Sequence, residues 1–378
     1  MNLAFCLFQY FPFGGLQRDF KHIAEACQRQ GHVIRVYTTA WEGDIPSDFQ
    51  VSLVSVRGIT NHQRCWNYSK DVNKVLAKQP NDLIVGFNKM HGLDVYYAAD
   101  PCYQAKVMGE KGSLYRLGPR YRTYLALEKA VFETSSKTEI LLISEKERAQ
   151  YITYYKTPEK RFHSLPPGIS RDRVLRGNAD AIRKAVRNTY GIKNDEFLLL
   201  MVGSSFKTKG LDRTLLALAA LPEILRKRTK LFVIGEGKVR PFESLAKRLK
   251  VAGHLSFLGG SDDVPKFMIS ADLLLHPAYS ENTGTVLIEA MAAGLPILAT
   301  DVCGYASHVR RAEAGLLISS PYQQQEFNNL LQEMLSSSRR EIWKRSGIAY
   351  VTKNDFFSMP EKAAALIESI AAKRVIHR

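Results

Sequence analysis

Two glutamates eight positions apart, Glu281 and Glu289, flank a glycine-containing turn in the stretch HPAYSENTGTVLIEAMAAGLPILATDVCGY, His276 to Tyr305. The apolar run ADLLLHPA reads as a strand ending near Ala278, and a helix begins near Thr285 or Val286. Glu281 then lies in the loop and Glu289 on the first turns of the helix, at different depths of one pocket. Between them the amides near Gly284, Thr285 and Val286 point out of the helix start, a position that suits a phosphate. A phosphate between two carboxylates makes chemical sense when the carboxylates hold hydroxyls, a sugar on one side and a ribose on the other. Acids at a helix start also complement the helix dipole, which accounts for Glu289 tolerably and for Glu281 poorly.

Cations suited to such a phosphate occur at two places. Lys207 and Lys209, in GSSFKTKGLDRTLLAL, lie between a strand end and a helix beginning near Leu211, where a lysine reaches anionic oxygen beside helix amides or simply faces solvent. Arg171 and Arg173 follow a Pro-Pro-Gly step, as a surface cluster or as a diphosphate clamp. Near the start, Gly14 and Gly15 of FPFGGLQRDF allow close backbone approach at the opening of a helix. Asp19 reads as part of that helix's first turn, serving either a ligand or the dipole. Gly235-Glu236-Gly237 has Arg240 where a dinucleotide fingerprint needs its third glycine, which argues against nicotinamide chemistry. The chain has no Asp-x-Asp pair, so a metal-free site is expected, with cationic side chains and helix amides neutralising the phosphates.

The elements that must carry these residues follow from the apolar pattern. Short continuous runs (LAFCLF, HVIRVYT, DLIVGF, EILLIS, FLLLMVGS, KLFVIGEG, ADLLLHPA, LPILATD) alternate with helical stretches, the signature of parallel sheets covered on both faces. The fold class is α/β, with two Rossmann-like domains of about five strands each. At 378 residues two domains are the default, and Pro166, Pro167 and Gly168 mark the break. Residues 1–168 form the first domain and 169–352 the second, with a helix from about 353 to 378 packing back on the first. Ligands bind beyond the carboxyl ends of strands in such sheets, so facing sheets put the site in a central cleft.

Composition narrows the partners. The chain carries 53 Lys and Arg against 37 Asp and Glu, a net charge of +16 that calls for an anionic partner. No DNA- or RNA-binding pattern is present, so nucleic acid is not expected. Five cysteines without a Cys-x-x-Cys pair read as reduced thiols in the cytoplasm. The apolar N-terminus lacks a basic region and cleavage site and reads as a buried strand rather than a signal peptide. No apolar run reaches the ~18 residues of a spanning helix.

SENTGTVLIEAMAAGLPILATD resembles the Glu-x7-Glu signature of family 4 of the retaining GT-B glycosyltransferases. GSSFKTKGLDRTLLAL resembles that family's phosphate-binding Lys-Gly segment, and LPPGIS its interdomain turn. In the N-terminal half, FPFGGLQRDF, VYTTAWEGD, GFNKMHGLDVYYAADPCY and EKGSLYRLGPRYRTY are similar to the lipopolysaccharide core glucosyltransferases that place the first glucose on heptose. The resemblance implies UDP-glucose as donor, a heptosylated lipopolysaccharide core as acceptor, retention of anomeric configuration and no cofactor. It implies that Glu281 contacts the donor sugar, Glu289 the ribose, and Arg173 and Lys209 the diphosphate. Thr283, Gly284, Thr285 and Val286 would complete the donor site, and Gly15 would give close backbone approach. Asp19 and Asp100 would line the side near glucose and acceptor. Asn282-Thr283 stands where many relatives have Gly-Phe, and Cys303 where many have Gly, which leaves the donor sugar open; another family 4 glycosyltransferase with a different donor or acceptor is the alternative. A GT-B nucleotide-sugar epimerase is the rival within the fold.

Residues 103–133 carry six Lys or Arg against three Glu, interleaved with five Tyr or Phe. Aromatics among basic residues suit an anionic inner-membrane surface, at ~1 kcal/mol per basic residue. A basic surface helix with core tyrosines would look the same. The expectation is a peripheral protein on the cytoplasmic face.

Overall fold

The computed structural model describes residues 1–12, 14–110, 112–174 and 177–376. The chain divides into two compact units, one running to Pro166 and regaining the stretch from Ser358 onward, the other Pro167–Phe357. Phe13 of the glycine loop and Lys111 of the basic segment lie outside the described residues.

The first unit holds strands β1 (Asn2–Cys6), β2 (Val33–Thr38), β3 (Phe49–Leu53), β4 (Leu83–Gly86), β5 (Val95–Ala98), β6 (Glu139–Leu142) and β7 (Phe162–Ser164). Their order is β3-β2-β1-β4-β5-β6-β7, and every pairing is parallel. The second unit holds β8 (Phe197–Val202), β9 (Thr229–Ile234), β10 (Leu255–Gly259), β11 (Leu273–His276), β12 (Ile297–Thr300) and β13 (Gly315–Ile318), in the order β10-β9-β8-β11-β12-β13 and again all parallel.

The seven and six strands exceed the five expected per half. Those missed are short or peripheral. β3 and β10 are edge strands with mostly exposed or half-buried residues, β5 is a four-residue VYYA, and β7 and β13 close the opposite edges with three and four residues.

Continuous apolar strands are explained by burial on both faces. In β8, Leu198 and Leu200 enter the core on one face, while Leu199 and Met201 enter the core on the other. In β1, Leu3 and Phe5 divide from Ala4 and Cys6 in the same way. The period of two thus sends each neighbour to an opposite core.

The final helix differs from expectation at its start. Lys353 closes one helix, Arg340–Lys353, Asn354 is extended, and the last helix runs Met359–Ile376 with Pro360 in its first turn, where a missing N–H costs nothing. Ala363, Ala364, Ile367 and Ala371 of that helix share a core with Phe20, Ile23, Ala24 and Cys27 of the Gly15–Arg29 helix.

The strand order of each sheet reverses once, between β1 and β4 and between β8 and β11. At such a switch point the loops leaving adjacent strands diverge to opposite faces and open a crevice at the carboxyl ends. The candidate residues after β1, β8 and β11 therefore fall at the two places where this topology makes a site.

Candidate active site

In the second unit, Lys209 comes from the loop after β8 and Glu281 from the loop after β11. Lys209 Nζ donates to Glu281 Oε2, and His276 Nε2 lies 3.1 Å from the same oxygen. The side chains are largely enclosed, with Glu281 13% and His276 1% exposed. Burial pushes the Glu281 carboxyl up, but the His276 hydrogen bond and the Lys209 charge outweigh it and hold the pKa at about 2. Glu281 is therefore a fixed carboxylate, an acceptor for hydroxyl groups rather than a proton donor.

Local geometry depends on two glycines. Gly210 precedes the Leu211–Ala220 helix with φ of 82°, and a Cβ there would meet the Pro277 carbonyl oxygen at 2.1 Å. The loops after β8 and β11 thus approach backbone to backbone, and the Tyr279 amide donates to Thr208 O at 2.8 Å. Gly284 is the N-cap of the Thr285–Ala292 helix, with φ of 83° and no side-chain cap, so the first amides of that helix are uncapped. The segment before it is pinned from the loop after β12, where Gly304 N donates to Glu281 O at 3.3 Å and Tyr305 N to Thr283 O at 2.7 Å. Cys303 pairs with Glu281 as an isolated parallel bridge.

Glu289 lies in the second turn of the same helix and is 5% exposed. Arg173, 9% exposed and ending a 3-10 turn, places Nε 3.9 Å from Glu289 Oε1. Glu281 and Glu289 each therefore stand beside one of the two cations expected at the phosphate. Lys207 and Arg171 do not join them. Lys207 is a 67% exposed side chain bonded to Asp212 at 2.6 Å, and Arg171 lies over the Phe357 ring at 5.1 Å.

In the first unit, Gly15 begins the Gly15–Arg29 helix. A Cβ at Gly14 would strike Gln17 at 1.8 Å, whereas one at Gly15 would meet nothing within 4 Å. A side chain at Gly14 would displace the Gln17 amide and crowd the Phe11 ring, whereas the space over Gly15 is open. Asp19 is not in the first turn, which contains no acid, so the dipole argument loses its force there. It accepts a hydrogen bond from Tyr97 Oη at 2.8 Å, which ties the helix to the end of β5. Asp100 follows β5 with an exposed side chain, and Tyr151 Oη donates to its carbonyl at 2.9 Å.

Behind Asp100 lies a buried network that inspection of charge alone misses. Glu128 is wholly buried and accepts from Lys89 Nζ, Tyr155 Oη at 2.5 Å, Tyr103 N at 2.7 Å and Gln104 N at 2.9 Å. Glu147 accepts from Cys102 N at 2.6 Å. The chain from Asp100 to Gln104 is thus held by two carboxylates. The sequence signal was present but ambiguous, because Glu128 sits in a basic, aromatic stretch that reads as surface. His276, likewise, stood in the quoted motif at a strand end, where functional residues of such sheets collect.

Two parallel-sheet Rossmann-like units are the architecture of the GT-B fold, and the family matches make the chain a glycosyltransferase of that fold. Residues 13–173 match the Glycosyltransferase Family 4 family and residues 182–349 the Glycosyl transferases group 1 family. The chain is 48% identical over 368 residues, 97% of its length and 98% of the relative's, to the lipopolysaccharide glucosyltransferase WaaG of Escherichia coli (strain K12). It belongs to that family. The crystal structure of WaaG, a glycosyltransferase involved in lipopolysaccharide biosynthesis, superposes with a TM-score of 0.94 over 97% of this chain and 99% of that one. An Anabaena protein, HepE, solved with UDP and glucose, shares the fold with a TM-score of 0.74 at 17% identity, each chain being covered in full (100%).

Proposed function

We propose that the chain transfers glucose from UDP-glucose to the inner-core heptose of lipopolysaccharide, keeping the anomeric configuration and using no metal. The observation that carries this reading is the Lys209–Glu281–His276 cluster beside the uncapped Thr285–Ala292 helix, in a chain 48% identical to WaaG. Glu281, a carboxylate held ionised, accepts the donor sugar's hydroxyls. Glu289 takes the ribose. Lys209 and Arg173, with the amides of Gly284, Thr285 and Val286, face the diphosphate, and Thr283 lines the approach. Gly15 admits the donor against the backbone, while Asp19 and Asp100 face the glucose and the acceptor.

The chemistry follows from this distribution of charge. Negative charge builds on the diphosphate as the glycosidic bond breaks, and a lysine, an arginine and helix amides stabilise it without a cation from solution. The leaving phosphate oxygen takes the proton of the attacking hydroxyl on the same face, which retains the configuration. Positioning of the two substrates supplies the remaining rate.

The Tyr103–Glu133 stretch supports a peripheral seat on an anionic membrane surface at the cytoplasmic face. Leu114 is 81% exposed and Leu117 65%, next to exposed Arg120 and Arg122. No helix among the described residues is long and apolar enough to cross a membrane.

The test is a donor panel. Purified enzyme is offered UDP-glucose, UDP-galactose and GDP-mannose with heptose-terminated lipopolysaccharide, with and without EDTA, and the product is read by NMR. The reading expects an α-glucosyl product from UDP-glucose that EDTA does not reduce. An inverted product, another preferred donor or loss of activity in EDTA would contradict it.

A further inference from the structure

A cavity of about 550 Å³ opens in the first unit between the start of the Asn61–Leu76 helix and the Pro119–Phe132 helix. Its wall includes Arg57, Gln63, Trp66, Asn67, Arg122 and Thr123, and none of its lining residues is an Asp or Glu. It lies just beyond β3, at the carboxyl-end side of the sheet where ligands of such folds bind. Its size is that of a small-molecule site, in the range of roughly 300–1,000 Å³.

The chemistry of the wall is specific. Arg57 and Arg122 are exposed, and among the described residues neither guanidinium has a carboxylate partner. Two guanidinium forks without an acid between them form a receptor for a phosphate or carboxylate, which they can hold by paired N–H donors. At the start of the Asn61–Leu76 helix the Gln63 backbone amide is already capped. Thr60 Oγ1 accepts from Gln63 N at 3.4 Å, and Gln63 Oε1 accepts from Thr60 N at 3.2 Å. That box leaves the side-chain Nε2 of Gln63 as a donor. Asn67 ties the wall together by donating to the Arg57 carbonyl at 2.9 Å. Trp66 is only partly buried and is braced edge-on by His91, with ring centroids 5.3 Å apart, which fixes an aromatic surface in the cavity. An aromatic platform, amide and hydroxyl donors and two free guanidinium groups together match a sugar ring carrying an anionic substituent.

We propose that this cavity is a subsite for an anionic saccharide, a sugar bearing a phosphate or a carboxylate. Its assignment to the acceptor rests on the transfer reading above; its binding chemistry does not. The experiment is therefore direct binding rather than turnover. The indole 15N–1H resonance of Trp66, assigned with Trp66→Phe, is followed during titration with glucose 6-phosphate, glucuronate, glucose and inorganic phosphate. The wild type and the double variant Arg57→Ala/Arg122→Ala are compared, and UDP binding to the second unit serves as a control for integrity.

A saturable shift with glucose 6-phosphate or glucuronate, weakened at least tenfold in the double variant while UDP binding is unchanged, supports the subsite. The stronger of those two ligands identifies phosphate or carboxylate as the recognised group. A shift with glucose equal to that with the charged sugars, no shift at all, or a shift undiminished in the double variant would overturn it. Sedimentation with vesicles of anionic phospholipid supplies the last arm. If the double variant loses vesicle binding but keeps sugar binding, these arginines serve the membrane and the proposal is wrong. Because the readout is binding, it succeeds or fails independently of whether UDP-glucose is the donor.

Discussion

Lys209 and Glu281, 72 positions apart in the chain, form an ion pair across the crevice between the loops that leave β8 and β11. Their adjacency is a consequence of topology. The strands are neighbours in the sheet, and Gly210 lets one loop pass against the Pro277 carbonyl of the other. On the proposed reading, the pair offers a sugar diphosphate both a cation and an anion.

Glu281 makes the stability of the second unit depend on acid. Its folded pKa of about 2 is below the ordinary 4.5, so its contribution is fully present above 4.5 and lost as pH falls towards 2. The contribution is on the order of 3 kcal/mol. Denaturant unfolding of wild type and Glu281→Gln should differ most at neutral pH and converge as pH falls through that window. A constant difference from pH 7 to pH 2 would contradict the assignment.

Removing the Lys209 charge should act on turnover. Lys209→Ala is expected to lower kcat by roughly 10²-fold, the usual cost of losing one donor aimed at developing charge. Steady-state kinetics with UDP-glucose check it. An unchanged kcat with only a raised acceptor KM would place Lys209 outside the leaving-group site.

The left-handed N-cap at Gly284 is a narrow requirement. Gly284→Ala forces an L-residue to φ of 83° and brings its Cβ to 3.3 Å from Glu281 Cγ. A cost of about 1–2 kcal/mol in stability is expected, together with a weaker donor. Calorimetric melting and UDP titration measure the two effects separately, and an unperturbed variant would show that the turn has freedom the geometry denies.

Glu128 should prove structural in energy but functional in consequence. Its carboxylate is buried with Lys89, and burial raises its pKa less than Lys89 and the tyrosine and amide donors lower it. Glu128→Gln leaves Lys89 without its counter-charge, a loss of about 3–5 kcal/mol when a buried pair is broken. The variant should melt early and, below its melting temperature, show a raised acceptor KM because the Asp100–Gln104 stretch loosens. Lys89→Met/Glu128→Leu should recover part of the stability without restoring the KM.

His308 predicts a second acid effect, in a higher pH window. Burial, and then the charge of Arg311, push its pKa from 6.5 to about 4. The unfolded chain takes up the proton first, so stability falls as pH drops from about 6.5 to 4 and is flat for this group below that. His308→Phe, which keeps an aromatic ring beside Tyr305 and Phe356, should flatten the profile in that window.

Much of this was legible in the residues. Apolar runs buried on both faces exposed the parallel sheets, and the Pro-Pro-Gly step fell where the two units divide. The sequence singled out Glu281, Glu289, Lys209 and Arg173, and the structure brings Lys209 to Glu281 and Arg173 to Glu289. Edge strands were not legible, since β3 and β7 bury too little to read as apolar runs. Asp19 was put one turn too early because Gly15 itself begins the helix. The Glu128 network escaped because a buried acid and a surface acid look alike until Lys89, 39 positions away, is brought beside it.

The most direct test is transfer of labelled glucose from UDP-glucose to heptose-terminated lipopolysaccharide in EDTA, by wild type and Glu281→Gln. The account predicts wild-type transfer that survives EDTA and a variant reduced by at least 10²-fold with its fold intact. Wild-type transfer that vanishes in EDTA, or a variant that transfers glucose as well as wild type, would contradict it.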